Sequence, residues 1–518
     1  MKSYKSSNLR NVAVIGHGKT GKTSLLDACL FNAGAVKRLG SVHTSVLDCE
    51  PEEESRGMTI NLKLAACEWR DYKINFIDTP GYPDFVGEVK GALTAADSAL
   101  IVISAPSGIE VETEKAWRYA EEAELPRAFF INKMDREHAD FQQVVEELRV
   151  RFGAGVVPVQ LPIGQEAAFQ GVVDLLALHM KIVTHDEEDL IADIPEYIQG
   201  DVEEARQKLI ESVAEFNNEL LEKYIEGTEI TEVEVAAALI EGIQAGKIFP
   251  VFCGSAKQNI GVKKLMNGIV EYLPTPYFHV AIGMDPQDGD LKERHTEDAF
   301  SAQVFKTVVD PFVGRMSYLR IFSGTMKGDA TYMHPNKENA ERVGTIFSLQ
   351  GKRQEHLNAA EAGDIVATTK LQSVRTGDTL CDSADPIVYE EIAYPAPMLA
   401  MAASAHKKGE EDKVFGALAK QQDEDPTIVV EKNPETHETI LRGIGEVHLE
   451  VLRDKLQRKF GVELELHEPR VAYRETIRKS VKVQGKHKKQ NGGSGQYGHV
   501  KIRFAPGEEE GLTFVDAT

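Results

Sequence analysis

Residues 16–23 read GHGKTGKT, which is a complete G-x-x-x-x-G-K-[ST] phosphate-binding loop. The apolar run at 11–15 before the loop predicts a buried strand, and the run at 24–30 after it predicts a helix. Backbone N–H groups of such a loop converge on a phosphate at the N-terminus of the helix. Strand, loop and helix in this order predict an α/β domain with a nucleotide site at the carboxyl edge of a parallel sheet.

Two side chains of the loop have individual roles in the expected site. Lys22 can reach the β- and γ-phosphates, and the hydroxyl of Thr23 can bind Mg²⁺. The other loop residues are expected to surround the phosphates, and they are Gly16, His17, Gly18, Lys19, Thr20 and Gly21. A glycine-rich turn without a ligand is the alternative, and it becomes remote once the motifs downstream are counted.

The base is expected to be guanine, because residues 132–135 read NKMD directly after the apolar run at 128–131. The carboxylate of Asp135 can accept both the ring N–H and the exocyclic amine of guanine. Adenine offers no matching donors and would leave that carboxylate unpaired. The stem of Lys133 can lie over the base, and Asn132 can tie this segment to the phosphate loop.

A second segment is expected to contact the base. Residues 254–257 read GSAK after the apolar run at 249–252, and their backbone N–H groups are expected near the base oxygen. The base-binding residues assigned from the two segments are Asn132, Lys133, Met134, Asp135, Ser255, Ala256 and Lys257.

Two more segments are expected at the phosphates. Residues 78–81 read DTPG after an apolar strand, so that Asp78 can hold Mg²⁺ through water and the Gly81 N–H can approach the γ-phosphate. Thr59 lies in RGMTI and can close on Mg²⁺ only when the γ-phosphate is present, which predicts an order–disorder switch. The whole DTPG segment and the residue after it are assigned to the nucleotide site: Asp78, Thr79, Pro80, Gly81 and Tyr82. The acidic run at 50–54 reads as a solvated, mobile loop.

These motifs, in this order, resemble the translational GTPases. Longer runs make the resemblance closer, because LRGIGEVHLE at 441–450 and PRVAYRETI at 469–477 resemble the third domain of bacterial elongation factor G. The run GKHKKQNGGSGQYGHV at 485–500 resembles the start of its fourth domain. The resemblance implies GTP and GDP with Mg²⁺ as ligands, and Lys22, Thr59, Gly81 and Tyr82 as the catalytic residues.

The resemblance also sets an expected architecture. It predicts a GTP-binding α/β P-loop domain at 1–278 with an α/β insert at about 159–250, a β-barrel domain at 279–390 and a ferredoxin-like α+β domain at 396–477. Residues 478–518 would begin a fourth α+β domain. The strand and helix patterns agree, with short strands between glycines at 299–385 and a β-α-β-β-α-β order after 396.

Within the insert, apolar spacing predicts one helix over 201–224, and Thr231 with Glu234 three residues later predicts a capping box for a second helix. In the family the insert meets ribosomal stalk proteins, and the fourth domain reaches the tRNA–mRNA duplex. The basic, glycine-rich stretch near 490 is read as a flexible RNA-contacting loop, with the candidates Lys486, His487, Lys488, Lys489 and Gln496.

Composition narrows the function. The net charge of −23, from 59 basic against 82 acidic residues, argues against a nonspecific nucleic-acid coat, so RNA contacts must be local. Five dispersed cysteines without a C-x-x-C pair indicate a reducing cytoplasm and no metal site. No apolar stretch is long enough to cross a membrane. The protein is expected to be a cytoplasmic monomer that binds the ribosome, including its rRNA.

Three features depart from the elongation factor G pattern. Lys19 stands where the family usually has Asp, and Tyr82 where it has His; factor G-like paralogues are known to carry such a Tyr. The chain ends at Thr518, short of a complete fourth domain, so a C-terminally truncated paralogue is expected. The first reading of function is a ribosome-stimulated GTPase whose rate Tyr82 lowers. The alternative is a GTP-gated ribosome-binding switch with slow hydrolysis, of a regulatory, recycling or tetracycline-protection type.

Overall fold

The computed structural model of the protein describes residues 2–40, 45–47, 50–177, 179–183, 189–192, 194–310, 314–473, 475–507 and 511–517. The predicted multidomain fold class is confirmed: an α/β domain with an insert precedes a β-barrel-like domain, an α+β domain and a β-hairpin.

The first domain is centred on a sheet that is parallel apart from one antiparallel edge strand. Its strands lie in the order Lys63–Trp69, Tyr72–Asp78, Leu9–Ile15, Ser98–Ser104, Arg127–Asn132, Phe249–Cys253 and Val156–Pro158. Its helices are Lys22–Asn32, Pro51–Arg56, Val86–Ala95, Val111–Glu122, Phe141–Phe152 and Val262–Tyr272. Every residue of the strands Leu9–Ile15 and Ser98–Ser104 is buried, as expected for parallel strands covered on both faces.

The insert contains an antiparallel sheet and three helices. The strands are Gln160–Ile163, Gly171–Asp174, His179–Val183 and Asp189–Ala192, and the helices are Glu196–Ala214, Asn218–Glu226 and Glu232–Gln244. The single helix predicted over 201–224 is wrong, because the Asn217 side chain accepts the Leu220 N–H at 3.1 Å and starts a new helix there. The predicted capping box of Thr231 and Glu234 is confirmed.

The second domain is an antiparallel, barrel-like array with a core of its own. Its strands are Ala281–Met284, Leu291–Arg294, Ser301–Asp310, Gly314–Ser323, Thr325–Lys327, Thr331–His334, Asn339–Arg342, Ile346–Gln350, Arg353–Leu357, Ala359–Glu361, Ile365–Thr369, Thr379–Cys381 and Val388–Tyr389. Gln350 lies opposite Ala65 of the first domain, so the two domains share one continuous sheet.

The third domain has the predicted β-α-β-β-α-β order. Its strands lie side by side as Val429–Lys432, Thr439–Gly443, Leu399–Ala405 and Leu464–His467, and its helices are Glu411–Glu424 and Glu446–Phe460. Leu418 and Leu456, one from each helix, are fully buried in its apolar core. This sheet order is that of the ferredoxin-like fold.

The last described element is a long hairpin of the strands Val481–Asn491 and Ser494–Phe504. The predicted flexible basic loop is wrong, because Lys486 to Lys489 lie inside the first strand. Only Gly492 and Gly493 form the turn, with φ of 47° and 94°. Positive φ at both central residues gives a tight two-residue turn, which glycine adopts at low cost.

Among the described helices, none combines the length and the apolarity that a membrane crossing requires. The cysteines in the described part of the chain, Cys29, Cys67, Cys253 and Cys381, are buried free thiols.

Candidate nucleotide-binding site

The phosphate loop leaves the strand Leu9–Ile15 where the order of the sheet reverses, the usual ligand position in such folds. Gly16 has φ of 133°, and a Cβ there would lie 2.6 Å from a main-chain oxygen, so the loop requires glycine at this position. The Lys22 ammonium donates to the carbonyl oxygens of Gly16 at 3.0 Å and His17 at 2.8 Å. A Cβ on Gly81 would lie 2.4 Å from Lys22 Nζ, so the DTPG segment passes directly over this cation.

Three predicted metal ligands meet at one corner of the site. Thr23 Oγ1 lies 2.7 Å from Asp78 Oδ2 and 3.0 Å from Thr59 Oγ1. Asp78 ends a buried strand, and Thr59 is 9% exposed. Two hydroxyls and a carboxylate are hard oxygen donors of the kind that Mg²⁺ prefers, so the residues fit the ion that the sequence predicts.

At the end of the site where the base is expected, Asn132 hydrogen-bonds to two other segments. Its Nδ2 donates to the carbonyl oxygen of Thr20 at 2.9 Å, which ties the NKMD segment to the phosphate loop as predicted. Its Oδ1 accepts the Ala256 N–H at 3.0 Å, which joins the third segment to the same point. Lys133 Nζ donates to the carbonyl oxygen of Lys19 at 2.7 Å. Three segments far apart in sequence are thereby held as one rim.

Met134 and Asp135 of the NKMD segment have different positions: one is buried behind the segment, and the other lines the cavity. Met134 is fully buried, and its N–H donates to the carbonyl oxygen of Gly254 at 3.2 Å, so it supports the segment from behind. Asp135 lines the cavity, as the guanine-reading role requires. Burial, followed by the neighbouring guanidinium of Arg136, lowers the pKa of the Lys133 ammonium.

These segments enclose a cavity of about 420 Å³, within the size range of small-molecule sites. The predicted site residues that line it are Gly18, Lys19, Gly21, Lys22, Thr23, Thr59, Gly81, Tyr82, Asn132, Lys133, Asp135, Ser255, Ala256 and Lys257. The predicted residues outside its lining are Gly16, His17, Thr20, Asp78, Thr79, Pro80 and Met134.

Some residues outside the lining support the loops. Thr79 Oγ1 donates to the carbonyl oxygen of Val14 at 2.7 Å, and Thr20 Oγ1 donates to that of His17 at 3.1 Å. The His17 ring lies 3.4 Å from Glu110 Oε1, and within the described residues its buried Nδ1 has no hydrogen-bond partner.

Tyr82 packs between the phosphate loop and the third domain. A Cβ built on Gly18 would lie 3.1 Å from the Tyr82 ring, so the ring rests against the phosphate loop. The same ring joins an apolar cluster with Ile60, Phe85 and Val451, the last of which belongs to the helix Glu446–Phe460. The residue after DTPG is therefore held from two sides and is not a free surface side chain.

The prediction of a solvated, mobile loop at 50–54 is wrong. The acidic run forms the helix Pro51–Arg56, in which Glu52 and Glu53 are buried. Arg458 of the third domain donates to Glu52 at 2.6 Å and so compensates the buried charge. A cation about 400 positions away in the chain gives no local signal in the sequence. Arg136, next to Asp135, is a further cavity-lining residue that the motifs did not include.

The hairpin divides the RNA-contact candidates between its two faces. Alternation along the strand and the pairing of Lys488 with Tyr497 place Lys486 and Lys488 on one face. His487, Lys489 and Gln496 lie on the other, where His487 Nε2 is 3.4 Å from Gln496 Oε1. All five side chains are exposed, but they do not form one surface.

Comparison with known proteins matches four stretches of the chain to known families. Residues 7–275 match the elongation factor Tu GTP binding domain, 299–383 match elongation factor G domain 2, 394–468 its domain III and 469–518 its domain IV. The chain belongs to the elongation factor G family of translational GTPases.

A solved structure agrees with this membership. A crystal structure of a protein from Thermus thermophilus is 34% identical in sequence, with a TM-score of 0.86 over 97% of this chain and 74% of that one. The first domain is accordingly a GTPase domain of the elongation factor type, and the later parts are those of an elongation factor G-like protein. The family match covers the hairpin as part of domain IV.

Proposed function

We propose that this chain is a ribosome-stimulated GTPase that binds GTP with Mg²⁺ and changes conformation on hydrolysis. The observation that carries the proposal is the meeting of Thr23, Thr59 and Asp78 at the phosphate end of a cavity. The other end of that cavity carries the guanine-reading sequence NKMD.

The residues divide the work of phosphoryl transfer between them. Water attacks the γ-phosphorus as the bond to the β–γ bridging oxygen breaks, which leaves GDP and inorganic phosphate. Lys22 and the main chain of the phosphate loop would bind the phosphates, and the Gly81 N–H would be available to the γ-phosphate. Thr23 and Thr59 would hold Mg²⁺ directly and Asp78 through water, and the bound ion would neutralise charge on the phosphate oxygens.

The guanine assignment has a direct test in Asp135→Asn. The amide loses one acceptor, so GDP affinity should fall about tenfold or more while xanthosine diphosphate binds better. Glu137→Gln, a change at an exposed carboxylate two residues away, is the control. Unchanged GDP affinity in Asp135→Asn would remove Asp135 from the base site.

The family membership supports the ribosome as the partner. We place the insert near the stalk proteins, the other domains near rRNA, and the domain IV hairpin near tRNA and mRNA, in a cytoplasmic, monomeric factor. The test is GTP turnover by the purified chain with and without ribosomes. Turnover that ribosomes leave unchanged would contradict the proposal.

A second candidate function is a GTP-gated ribosome-binding switch with slow hydrolysis, and the packing of Tyr82 favours it. A tyrosine phenol is a neutral hydrogen-bond donor near neutral pH. Its ring packs against Gly18 and against the cluster that contains Val451, so we expect its hydroxyl to approach the attacking water from a different position than a histidine ring would. A misplacement of about 1 Å can lower a rate about a hundredfold.

Tyr82→His separates the two candidates. If Tyr82 limits the rate, ribosome-stimulated turnover should rise in Tyr82→His with GTP affinity unchanged. Tyr82→Phe keeps the ring and removes the hydroxyl, and it reports whether that hydroxyl acts at all. A lower rate in both variants would make Tyr82 a working catalytic residue and would favour the active GTPase.

A further inference from the structure

The carboxylate of Glu53 lies buried beneath the turn that carries Thr59, and its side chain is inaccessible to solvent. Its Oε1 accepts the N–H groups of Ile60 at 3.0 Å and Asn61 at 3.2 Å. Its Oε2 lies 3.3 Å from the ammonium of Lys63, which balances the charge. This carboxylate is therefore fully engaged, and it belongs to none of the nucleotide motifs.

The main chain of the same residue holds the other side of the turn. The carbonyl oxygen of Glu53 accepts the N–H of Met58 at 3.2 Å and that of Gly57, which ends the helix Pro51–Arg56 with φ of 60°. The residues on both sides of Thr59 are thus hydrogen-bonded to one residue. Thr59 itself contacts Thr23, so the position of its hydroxyl follows from these bonds.

A second buried carboxylate continues the support. Glu88 Oε2 accepts the Leu62 N–H at 2.9 Å, and its Oε1 is paired with Lys306 of the second domain. Three successive N–H groups, from Ile60 to Leu62, therefore end on side-chain carboxylates and not on a neighbouring strand. A buried N–H group without an acceptor is costly, so the two carboxylates favour the position of the turn that brings Thr59 to Thr23.

We propose that Glu53 is a positioning residue for GTP hydrolysis, which sets the position of Thr59 against Thr23 and Asp78. The inference rests on the proposed role of Thr59 as a ligand of Mg²⁺ in the GTP state. A carboxylate suits this position, because one oxygen must accept two N–H groups and a charged acceptor forms the stronger bonds.

The experiment compares the full chain with Glu53→Gln, Glu53→Ala and the control Glu54→Gln, which changes an exposed carboxylate on the same helix. Affinities for a fluorescent non-hydrolysable GTP analogue and for fluorescent GDP are measured with Mg²⁺. Glu53→Ala should weaken binding of the analogue about tenfold, with GDP affinity within about twofold of wild type. Glu53→Gln keeps one oxygen and should recover part of the loss, and the control should match wild type.

A double-mutant cycle with Thr59→Ala tests whether Glu53 changes the affinity for the GTP analogue through Thr59. If Glu53 acts through Thr59, Glu53→Gln should add little to the loss already caused by Thr59→Ala. Equal weakening of GDP and analogue, or full additivity with Thr59→Ala, would overturn the positioning role, because Glu53 would then support the fold in general. Unchanged analogue affinity in Thr59→Ala would instead overturn the proposed role of Thr59 and the inference with it. Glu53→Gln alone completes the cycle if Glu53→Ala does not fold.

Discussion

The GTPase domain contacts the second and third domains through ion pairs that differ in burial. Against the second domain, Arg320 pairs with Asp97 at 2.6 Å, and all four charged groups of this pair and of Lys73 with Asp364 are at most 3% exposed. Against the third domain, Arg56 pairs with Asp454 at 2.7 Å, and these side chains are 24% and 35% exposed. The charged groups of the second-domain pairs are closed to water, and those of the Arg56–Asp454 pair are partly open to it.

The two interfaces also start from different parts of the GTPase domain. The second-domain interface involves Asn11 and Asn75, on central strands of the sheet, and Asn11 Nδ2 donates to the carbonyl oxygen of Gly363 at 2.7 Å. The third-domain interface involves the helix Pro51–Arg56 and the turn after Tyr82, which border the proposed γ-phosphate site. Of the two interfaces, this one therefore lies beside the proposed nucleotide, and its exposed ion pair is the contact that salt can weaken.

The largest expected effect comes from removing the buried ion pair of Arg320 with Asp97, between the second domain and the GTPase domain. Arg320→Met should lower the free energy of unfolding by about 3–5 kcal/mol, because it leaves the Asp97 carboxylate buried without its cation. The measurement is denaturant unfolding of the full chain. Arg70→Met removes one partner of an exposed pair, Arg70 with Glu271 at 3.1 Å, and should change stability by less than about 1 kcal/mol.

The pH dependence of this variant provides a second check. Burial raises the pKa of Asp97 above its usual range even though Arg320 opposes the shift, and loss of the cation raises it further. A raised carboxyl pKa stabilises the fold at low pH, and that stability is lost as pH rises. The deficit of Arg320→Met should therefore be smaller at about pH 5 than at about pH 8. Adding Asp97→Asn should recover part of it; a double variant no more stable than Arg320→Met would contradict the reading.

An intermediate effect is expected where the turn after the DTPG segment caps a helix of the third domain. Asp84 Oδ2 accepts the His448 N–H at 3.1 Å in the first turn of the helix Glu446–Phe460. The residue at the cap itself is Gly445, where a Cβ would lie 2.4 Å from the same oxygen. Asp84→Ala should cost about 0.5–2 kcal/mol at this contact, the usual value of a helix cap.

The place where protection from hydrogen exchange is lost distinguishes a cap supplied by another domain from a cap within one domain. Hydrogen exchange at the amides of 446–449 should become faster in Asp84→Ala, while the core strands of the GTPase domain keep their protection. Asp140→Ala is the matched control, because Asp140 caps the helix Phe141–Phe152 of its own domain and accepts the Gln143 N–H at 2.9 Å. Faster exchange at 446–449 in both variants, or in neither, would argue against a cap shared between domains.

The sequence predicted the parts of this comparison that depend on local pattern. The helix Glu446–Phe460 is the second helix of the β-α-β-β-α-β order predicted after residue 396. The meeting of Thr23 with Asp78 was predicted from motif order, since parallel strands deliver their carboxyl ends to one edge. Thr59 precedes an antiparallel edge strand, and its place beside Thr23 was predicted from the RGMTI segment.

The contacts between domains could not be predicted in the same way. The acidic run at 50–54 was predicted to be a solvated, mobile loop, because the cation that compensates Glu52 is Arg458, far away in the sequence. The capping role of Asp84 could not be predicted either, because a capping motif is recognised only when the capping residue directly precedes its own helix, and Asp84 caps a helix of another domain. The break in the predicted helix over 201–224 has a local signal in the sequence, because asparagine, here Asn217, is a common residue at the start of a helix.

The smallest expected effect belongs to the exposed pair of Arg56 with Asp454. Asp454→Asn should weaken the third-domain contact by about 0.2–1 kcal/mol, because water and salt screen a half-exposed pair. Trypsin cleavage after Arg56 reports this opening, and it should accelerate by at most about fivefold at low salt. At about 1 M salt the wild type and the variant should converge, since the screening length falls to about 3 Å. Glu450→Gln, which alters a carboxylate 3.9 Å from Arg56, should have a smaller effect. An acceleration that persists at high salt would mean that Arg56 and Asp454 are shielded from water as Arg320 and Asp97 are, and the contrast between the two ion pairs would fail.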